Sequence, residues 1–520
     1  MQISQKYKTT IITIMKIPTT EQIRQCEAYT MEHKPVSALE LMETAATACA
    51  NYIKQRFTPN VSIAFLCGRG NNGGDGLAMA RLLTESGFNC TIYLVTSQDV
   101  YSAECQHQLN LLKERDIDVT VITPSVELPR LDVYDIIVDA LFGTGLNKVV
   151  EEPFFAKIIT VLNQVNTFVF AVDTPSGLLS EQMMEKPYTA VKADFTLTFQ
   201  FPKLSFFFAE NYYFTGDWAV ADIGLDCEYI SHLQSIYNWL DYAAIKSFVR
   251  QRRRIVHKGT FGHGLLIAGS VGMMGAAVLS AKAALRTGIG LLTTVVPQRG
   301  CDIMQNAVHE AICRFDRRGK LHFMGVPPES LKRYTAIGVG CGLGTHLETA
   351  EGVKDLISNF EGNMVIDADA INILSQNKDW LELLPPKRCV LTPHLKEFER
   401  ITQPANNHYE RLEQQRQFSL RYQCVVVLKG VYTSISTPQG FIYFNSNGNQ
   451  GMAAGGSGDV LTGIILSLLA QGYMPNQAAQ LGVFLHGAAA DLALDKQSYE
   501  SLLPSDIIEN IGRAYKTLTN

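Results

Sequence analysis

The sequence predicts an α/β protein of two domains, each built on a parallel sheet covered by helices on both faces. Three observations predict it. The chain has 520 residues, and single hydrophobic cores stop growing near roughly 250–300 residues, so two cores is the natural division. Short apolar runs alternate with amphipathic stretches through both halves, the pattern of strands buried on two faces. Gly-rich loops follow several of these runs, at the strand ends where open parallel sheets bind ligands.

In the first half, residues 61–66 read as a buried strand, a Gly/Asn-rich loop follows, and 77–83 read as a helix. Further strands are expected at 91–95, 135–138, 168–172 and 195–199. A second series begins at 264–268 and continues through 291–296, 335–339, 364–366, 389–391 and 425–428. Residues 226–254 carry neither set of site motifs, which gives domains over 1–225 and 245–520 with a linker over 226–244. The basic run Arg252, Arg253, Arg254 is isolated and reads as a solvated segment.

Composition narrows the function classes. Apolar residues make up 46% and charged residues 18%, with a net charge of -5. That is ordinary for a water-soluble globular protein and gives no nucleic-acid or membrane surface. The 11 cysteines are scattered without a CxxC pair, against a disulfide framework or a structural zinc site and in keeping with a reducing, cytoplasmic setting. The apolar run 11–14 is short and lacks a small-residue cleavage pattern, and Met15 offers an alternative start. Residues 460–470 are apolar but too few to span a bilayer.

Three strand ends in the first half carry chemistry. Residues 67–76, CGRGNNGGDG, set five glycines, Asn71, Asn72 and Asp75 between a strand and a helix. Glycines let backbone approach a ligand closely, and amides at the helix start hold phosphate. Residues 68–73, GRGNNG, have the GxGxxG spacing, but that match alone is a weak signal, and the loop is not read as a standard dinucleotide fingerprint. VDALFGTGL (138–146) and VDTPSGL (172–178) each put a carboxylate, Asp139 and Asp173, at a strand tip before a glycine loop. Asn72, Asp139 and Ser176 offer oxygen only, which suits a hard cation and not zinc.

The strongest signal in the second half is GMAAGGSGDVL (451–461). Small residues approach a helix start, where amide dipoles favour negative charge developing on a transferring phosphoryl group. Asp459, in the first turn, is placed to take a proton from an attacking hydroxyl. His486 falls within a helical stretch and reads as a packing histidine, whereas His257 and His263 flank a turn and stay open between structure and site.

NNGGDG, VDALFGTGL, VDTPSGL and VKAD (191–194), in this order, resemble the NAD(P)H-hydrate epimerase family (the YjeF N-terminal domain) over roughly residues 19–222. The resemblance implies a Rossmann-like three-layer α/β/α sandwich. It also implies a hydrate site at Asn71, Asn72, Gly73, Gly74, Asp75, Gly143, Thr144, Gly145, Leu146 and Asp173, and K+ held by Asn72, Asp139 and Ser176. Asp173 and Lys192 are implied as the proton-transfer pair. TFQFPK (198–203) resembles the family's strand and Pro-Lys turn, with a structural role.

GGSGD is similar to the ribokinase-like superfamily, and HKGTFGH (257–263), GSVGMMGAA (269–277), GCGLG (340–344), DADA (367–370), TPHLKE (392–397) and LKGVYT (428–433) narrow the resemblance to the ADP/ATP-dependent NAD(P)H-hydrate dehydratases. This implies a ribokinase-like α/β domain with Asp459 as base and substrate contact. It implies a hydrate site at Ala276, Gly344 and His394, and nucleotide contacts at Lys429, Gly430, Val431, Tyr432, Thr433 and Gly458, with Mg2+ accompanying ADP or ATP. Gln450 and Cys341 depart from the family's pattern, each standing where a proline is usual. A homo-oligomer acting on small-molecule substrates, with ADP as phosphoryl donor, is the expectation. The competing reading is a ribokinase-like small-molecule kinase fused to a non-catalytic nucleotide-binding module.

Overall fold

A computed structural model describes residues 15–181, 189–315 and 321–519; the apolar run 11–14 lies outside them. The chain divides into two compact units, Lys16–Ser235 and Ile236–Asn520, with Met1–Met15 counted in the second. Residues 226–244, expected as a linker, hold the helix Cys227–His232, the strand Tyr237–Leu240 and the start of the helix Tyr242–Phe248. Leu240 and Ile245 are buried in the core of the second unit.

The first unit is a seven-stranded parallel sheet. Its strands are β1 (Ser62–Cys67), β2 (Asn89–Val95), β3 (Val119–Ile122), β4 (Ile136–Ala140), β5 (Phe168–Val172), β6 (Phe195–Phe199) and β7 (Asp217–Ala221), in the order β3-β2-β1-β4-β5-β6-β7. Phe65, Leu77, Val138 and Phe170 pack on one face, and Ala64, Ile137, Ile159 and Val169 on the other, giving three layers. The order reverses direction between β1 and β4, so a crevice opens beyond their carboxyl ends. Helices α1 (Thr20–His33) and α2 (Ala38–Arg56) precede the sheet. Each opens on a capping box, Thr19 with Gln22 and Ser37 with Glu40, which satisfies amides the helix start leaves free. Helix α3 (Asn71–Glu85) starts directly from the glycine loop.

In the second unit, ten strands follow residue 236: β8 (Tyr237–Leu240), β9 (His263–Ile267), β10 (Leu291–Val296), β11 (Ile312–Phe315), β12 (Ala336–Val339), β13 (Asn363–Ile366), β14 (Cys389–Leu391), β15 (Val425–Leu428), β16 (Ser434–Ser436) and β17 (Ile442–Asn445). They run β8-β17-β16-β15-β14-β13-β12-β9-β10-β11, parallel except where β16 pairs β15 and β17. The helices α4 (Met274–Arg286), α5 (Leu395–Ile401), α6 (Ser457–Ala470) and α7 (Pro475–Ala493) carry or support the second site. From Val460 to Ala470 every residue of α6 is buried, as expected of a helix that is apolar all round. Among the described residues, no helix is long and apolar enough to cross a membrane.

Candidate active sites

The first site is made by two loops that only glycine allows to meet. A Cβ on Gly73 would lie 1.8 Å from the Gly68 carbonyl oxygen, and one on Gly68 would lie 2.0 Å from that of Leu141. The first turn of α3 and the loop after β4 therefore close on each other around a cavity of about 960 Å³. Its wall contains Asn71, Asn72, Asp75, Gly143, Thr144, Gly145, Leu146 and Asp173, while Gly73 and Gly74 lie buried in the first turn of α3. The structure thus brings together the expected hydrate residues of this half.

Beside the cavity sits a buried oxygen cluster. Asp139 is fully buried; the Ser176 hydroxyl donates to its Oδ1 at 2.6 Å and the Ser176 amide to its Oδ2 at 2.7 Å. Burial pushes the Asp139 carboxyl up to about 6, against the hydrogen bonds from Ser176 and Leu141. Asn72 packs against the loop after β4: a Cβ on Gly143 would meet its Oδ1 at 3.0 Å, and among the described residues its Nδ2 is buried without a partner.

Asp173 follows β5 with φ at +61°, a left-handed conformation that costs an Asp of order 1 kcal/mol and persists where neighbours over-determine it. Here they do. Its Oδ1 accepts from Thr198 Oγ1 at 3.0 Å and from the Phe199 amide at 3.2 Å, and forms an ion pair with Lys203 Nζ at 3.0 Å. Two further carboxyls share the cavity wall, Glu27 from α1 and Asp75 from α3. Burial, then the Asp173 and Glu27 charges, push the Asp75 carboxyl well above the usual carboxylate range. Burial and then Asp173 likewise raise Glu27.

Lys192 is not part of this group. The segment around it alternates, with Val191 and Ala193 buried and Lys192 exposed. Its side chain lines a separate hollow of about 400 Å³ with Asn163 and Asp194. Neighbouring side chains of an extended segment point to opposite sides, so Lys192 faces away from a core that its neighbours enter. The ammonium at Asp173 belongs to Lys203, which sequence reading gave only a structural part in the Pro-Lys turn. Glu27 carries no motif at all; both are found only from the fold.

In the second unit the carboxyl ends of β12, β13 and β15 meet the start of α6. Asp367, just past β13, is buried; its Oδ1 accepts from Lys429 Nζ at 3.0 Å and its Oδ2 from Thr462 Oγ1 at 2.6 Å. Gly340 makes room for this turn with φ at +128°, since a Cβ there would lie 1.8 Å from the Asp367 carbonyl oxygen. Asp459 is half-buried in the first turn of α6, next to Gly458 and behind Gly456 at φ +98°. One oxygen of Asp459, one of Asp367 and the Cys341 sulfur lie within 4.8 Å of one another. Burial, above all, pushes the Asp459 carboxyl up to about 6; Asp367 adds to this, and Cys341 and Lys429 oppose it. Burial alone would lower Lys429, but the Asp367 and Glu397 carboxylates outweigh it and hold the ammonium up.

Around this centre the other expected residues take their places. Lys429 comes to the centre, while Gly430 and Val431 are exposed in the turn that follows. Thr433 Oγ1 closes that turn by donating to the Gly430 carbonyl at 3.3 Å, with Tyr432 half-buried between them. Gly344 has φ at +79° and its amide donates to Asp369 Oδ2 at 2.8 Å. Ala276, on α4, lies next to the loop 340–344: a Cβ on Gly342 would meet its Cβ at 3.0 Å. His394 bridges to Lys429 across the strand ends and caps α5, its Nδ1 accepting from the Lys396 amide at 3.1 Å and the Glu397 amide at 3.3 Å. That leaves the hydrogen on Nε2, 3.4 Å from Glu397 Oε1. Asp367, Asp369 and Glu397 stood in the quoted motifs without an assigned role; their contacts supply one.

The three other histidines singled out in the sequence make local structural contacts. His486 is buried in α7 behind the first turn of α6, 3.3 Å from Ser457 Oγ, and burial drives it down to about 4. His263 Nε2 lies 2.8 Å from Thr293 Oγ1, and His257 caps the turn Lys258–Phe261.

Comparison with known proteins gives the same partition. The family described as NAD(P)H-hydrate dehydratase matches residues 264–513, and that described as YjeF-related protein N-terminus matches residues 38–205. The bifunctional NAD(P)H-hydrate repair enzyme Nnr of Moorella thermoacetica is 32% identical over 97% of this chain and 97% of its own length. The enzyme of the same description from Coxiella burnetii is 33% identical over 94% of this chain and 97% of its own. Among solved structures, a ribokinase-like superfamily protein from Enterococcus faecalis is 25% identical, with a TM-score of 0.50 over 55% of this chain and 98% of that one.

Proposed function

The chain belongs to the family of bifunctional NAD(P)H-hydrate repair enzymes, and from that premise we propose how its two sites divide the work. It is an NAD(P)H-hydrate epimerase and an ADP/ATP-dependent NAD(P)H-hydrate dehydratase in one chain. A kinase joined to an unrelated binding module is not favoured, because single relatives align with both halves together.

One observation carries the dehydratase assignment: Asp459 stands at the head of α6, on an open glycine loop, beside the Asp367–Lys429 pair. Hydroxide is a poor leaving group, so the ring hydroxyl must first be made a better one. Asp459 takes the hydroxyl proton as that oxygen attacks the terminal phosphorus of the nucleotide. The new O–P bond forms as the bridging P–O bond breaks, releasing AMP from ADP or ADP from ATP. The ring nitrogen's electron pair then expels phosphate, and loss of a proton from the adjacent carbon restores the dihydropyridine. Gly458, Lys429 and the 430–433 turn would hold the nucleotide, and Ala276, Gly344 and His394 the hydrate. Mg2+ supplies neutralisation of the phosphate charge when bound with the nucleotide.

In the first unit, the backbone amides at 71–75 and 143–146 would receive the substrate's phosphates, with Asp173 at the reacting carbon. Protonated, the hydroxyl departs as water while the ring nitrogen forms C=N; water then returns to the opposite face and releases one proton. Asn72, Asp139 and Ser176 fit K+. They offer oxygen, and Asp139 is a buried carboxylate with no cationic side chain on it among the described residues. When bound, K+ balances that charge beside the phosphate loops.

The test is incubation of mixed hydrate epimers with ADP or ATP, following the reduced-nicotinamide absorbance. Full recovery with release of inorganic phosphate is expected. A stable phosphorylated product without recovery would overturn the reading.

A further inference from the structure

We infer that Lys203 is the positioning residue of the epimerase site, fixing Asp173 through one carboxylate oxygen so that the other is presented to the hydrate. The inference rests on the epimerase reading above and deepens it. Its ground is the asymmetry of the contacts. Thr198 Oγ1, the Phe199 amide and Lys203 Nζ all converge on Oδ1, within 3.0 to 3.2 Å. Among the described residues Oδ2 receives no protein donor, and Asp173 lines the large cavity.

Lys203 is itself held in place. It donates to the Phe201 carbonyl at 3.1 Å and to the Phe199 carbonyl at 3.4 Å, forms an ion pair with Asp173 Oδ1 at 3.0 Å, and its side chain is only 3% exposed. It does not line the cavity that Asp173 lines, so Lys203 holds the carboxylate and does not itself pass a proton to substrate. Buried lysines without a partner are rare and costly; this one stands where a carboxylate on a left-handed residue needs a fixed countercharge.

The countercharge matters because the cavity is acidic. Asp173 faces Lys203 and Thr198 from the sheet side, Glu27 and Arg24 from α1, Asp75 from α3, and Cys49 from α2. Without Lys203 the Asp173 carboxylate would lose the one cationic side chain in contact with it and the anchor that fixes its Oδ1.

The experiment measures epimerisation of purified hydrate epimers by the full-length protein, for wild type, Lys203→Met, Lys203→Gln, Lys203→Arg and Lys192→Ala. The expected result for Lys203→Met and Lys203→Gln is a kcat loss of about 100-fold. The hydrate KM should stay within about threefold of wild type, which a collapsed cavity would not allow. Lys203→Arg should recover part of the rate, and Lys192→Ala should match wild type. Gln keeps donors to the same carbonyls without the charge, so it decides the matter if Met prevents folding. A folded Lys203→Gln protein with the wild-type kcat overturns the inference. Absence of epimerisation in the wild type would instead sink the epimerase reading itself.

Discussion

Asp459 has to be deprotonated to act as base, and its environment makes that harder: burial pushes the carboxyl up to about 6. Dehydration of the hydrate should therefore fall as pH drops through about 6, well above the range of a free carboxylate. Asp459→Asn keeps the shape but removes the acceptor. It should abolish absorbance recovery while ADP affinity, followed by calorimetry, stays within a few-fold; near-normal turnover would remove Asp459 from the mechanism. Asp139 has the same direction of shift and a different consequence. A carboxyl whose folded value lies above its unfolded one lends stability below about 4, and that stability is lost as pH rises through about 6. A cation beside the ionised form reverses the loss. K+ should then raise the melting temperature of the first unit more at pH 8 than at pH 5, and Asp139→Asn should erase the difference; an equal K+ effect at both pH values would count against this site.

At the scale of elements, the two glycine loops do different work. Gly73 is forced by a backbone carbonyl 1.8 Å from where its Cβ would be, and backbone cannot yield as a side chain can. Gly73→Ala should part the α3 turn from the loop after β1, at a cost of about 1–3 kcal/mol. Epimerisation should drop at least tenfold while dehydration of the epimer that the second site accepts changes less than twofold. Equal losses in both would mean the variant unfolds the chain at large. These loops were legible in the sequence because glycine, Asn and Asp cluster within ten residues at a strand end. Helix α3 begins at Asn71, not Leu77, because the glycine-rich stretch that reads as loop is already its first turns. Lys203 and Glu27 were not legible: each is brought to Asp173 by folding, from the turn after β6 and from α1, with no shared motif. Lys192 lies apart from Asp173, because standing in VKAD says nothing about which side of the segment a side chain takes. The strands Ser434–Ser436 and Ile442–Asn445 are three and four residues long, too short for a period-2 pattern to separate them from turns.

For the whole molecule, the joining of two sites follows from stereochemistry. The dehydratase centre is built from fixed groups on β12, β13, β15 and α6, so it presents one base to one face of the hydrated ring. The opposite epimer places its hydroxyl away from that base and remains unrepaired. A site that breaks and remakes the C–O bond on either face returns the excluded isomer to the usable pool. Each unit has its own buried cores, so disabling one site should leave the other intact. With an equal mixture of the two hydrate epimers and excess ADP, wild type should restore the reduced-nicotinamide absorbance in one continuous phase. Asp173→Asn should restore about half rapidly, with the remainder following only at the rate of uncatalysed epimerisation, and Asp459→Asn should restore none. Adding the Asp173→Asn protein to the Asp459→Asn protein should return the missing phase, because the intermediate is a free small molecule. Full rapid recovery by Asp173→Asn alone would show that the second site accepts both faces, and the chemical reason for joining the two units would then be lost.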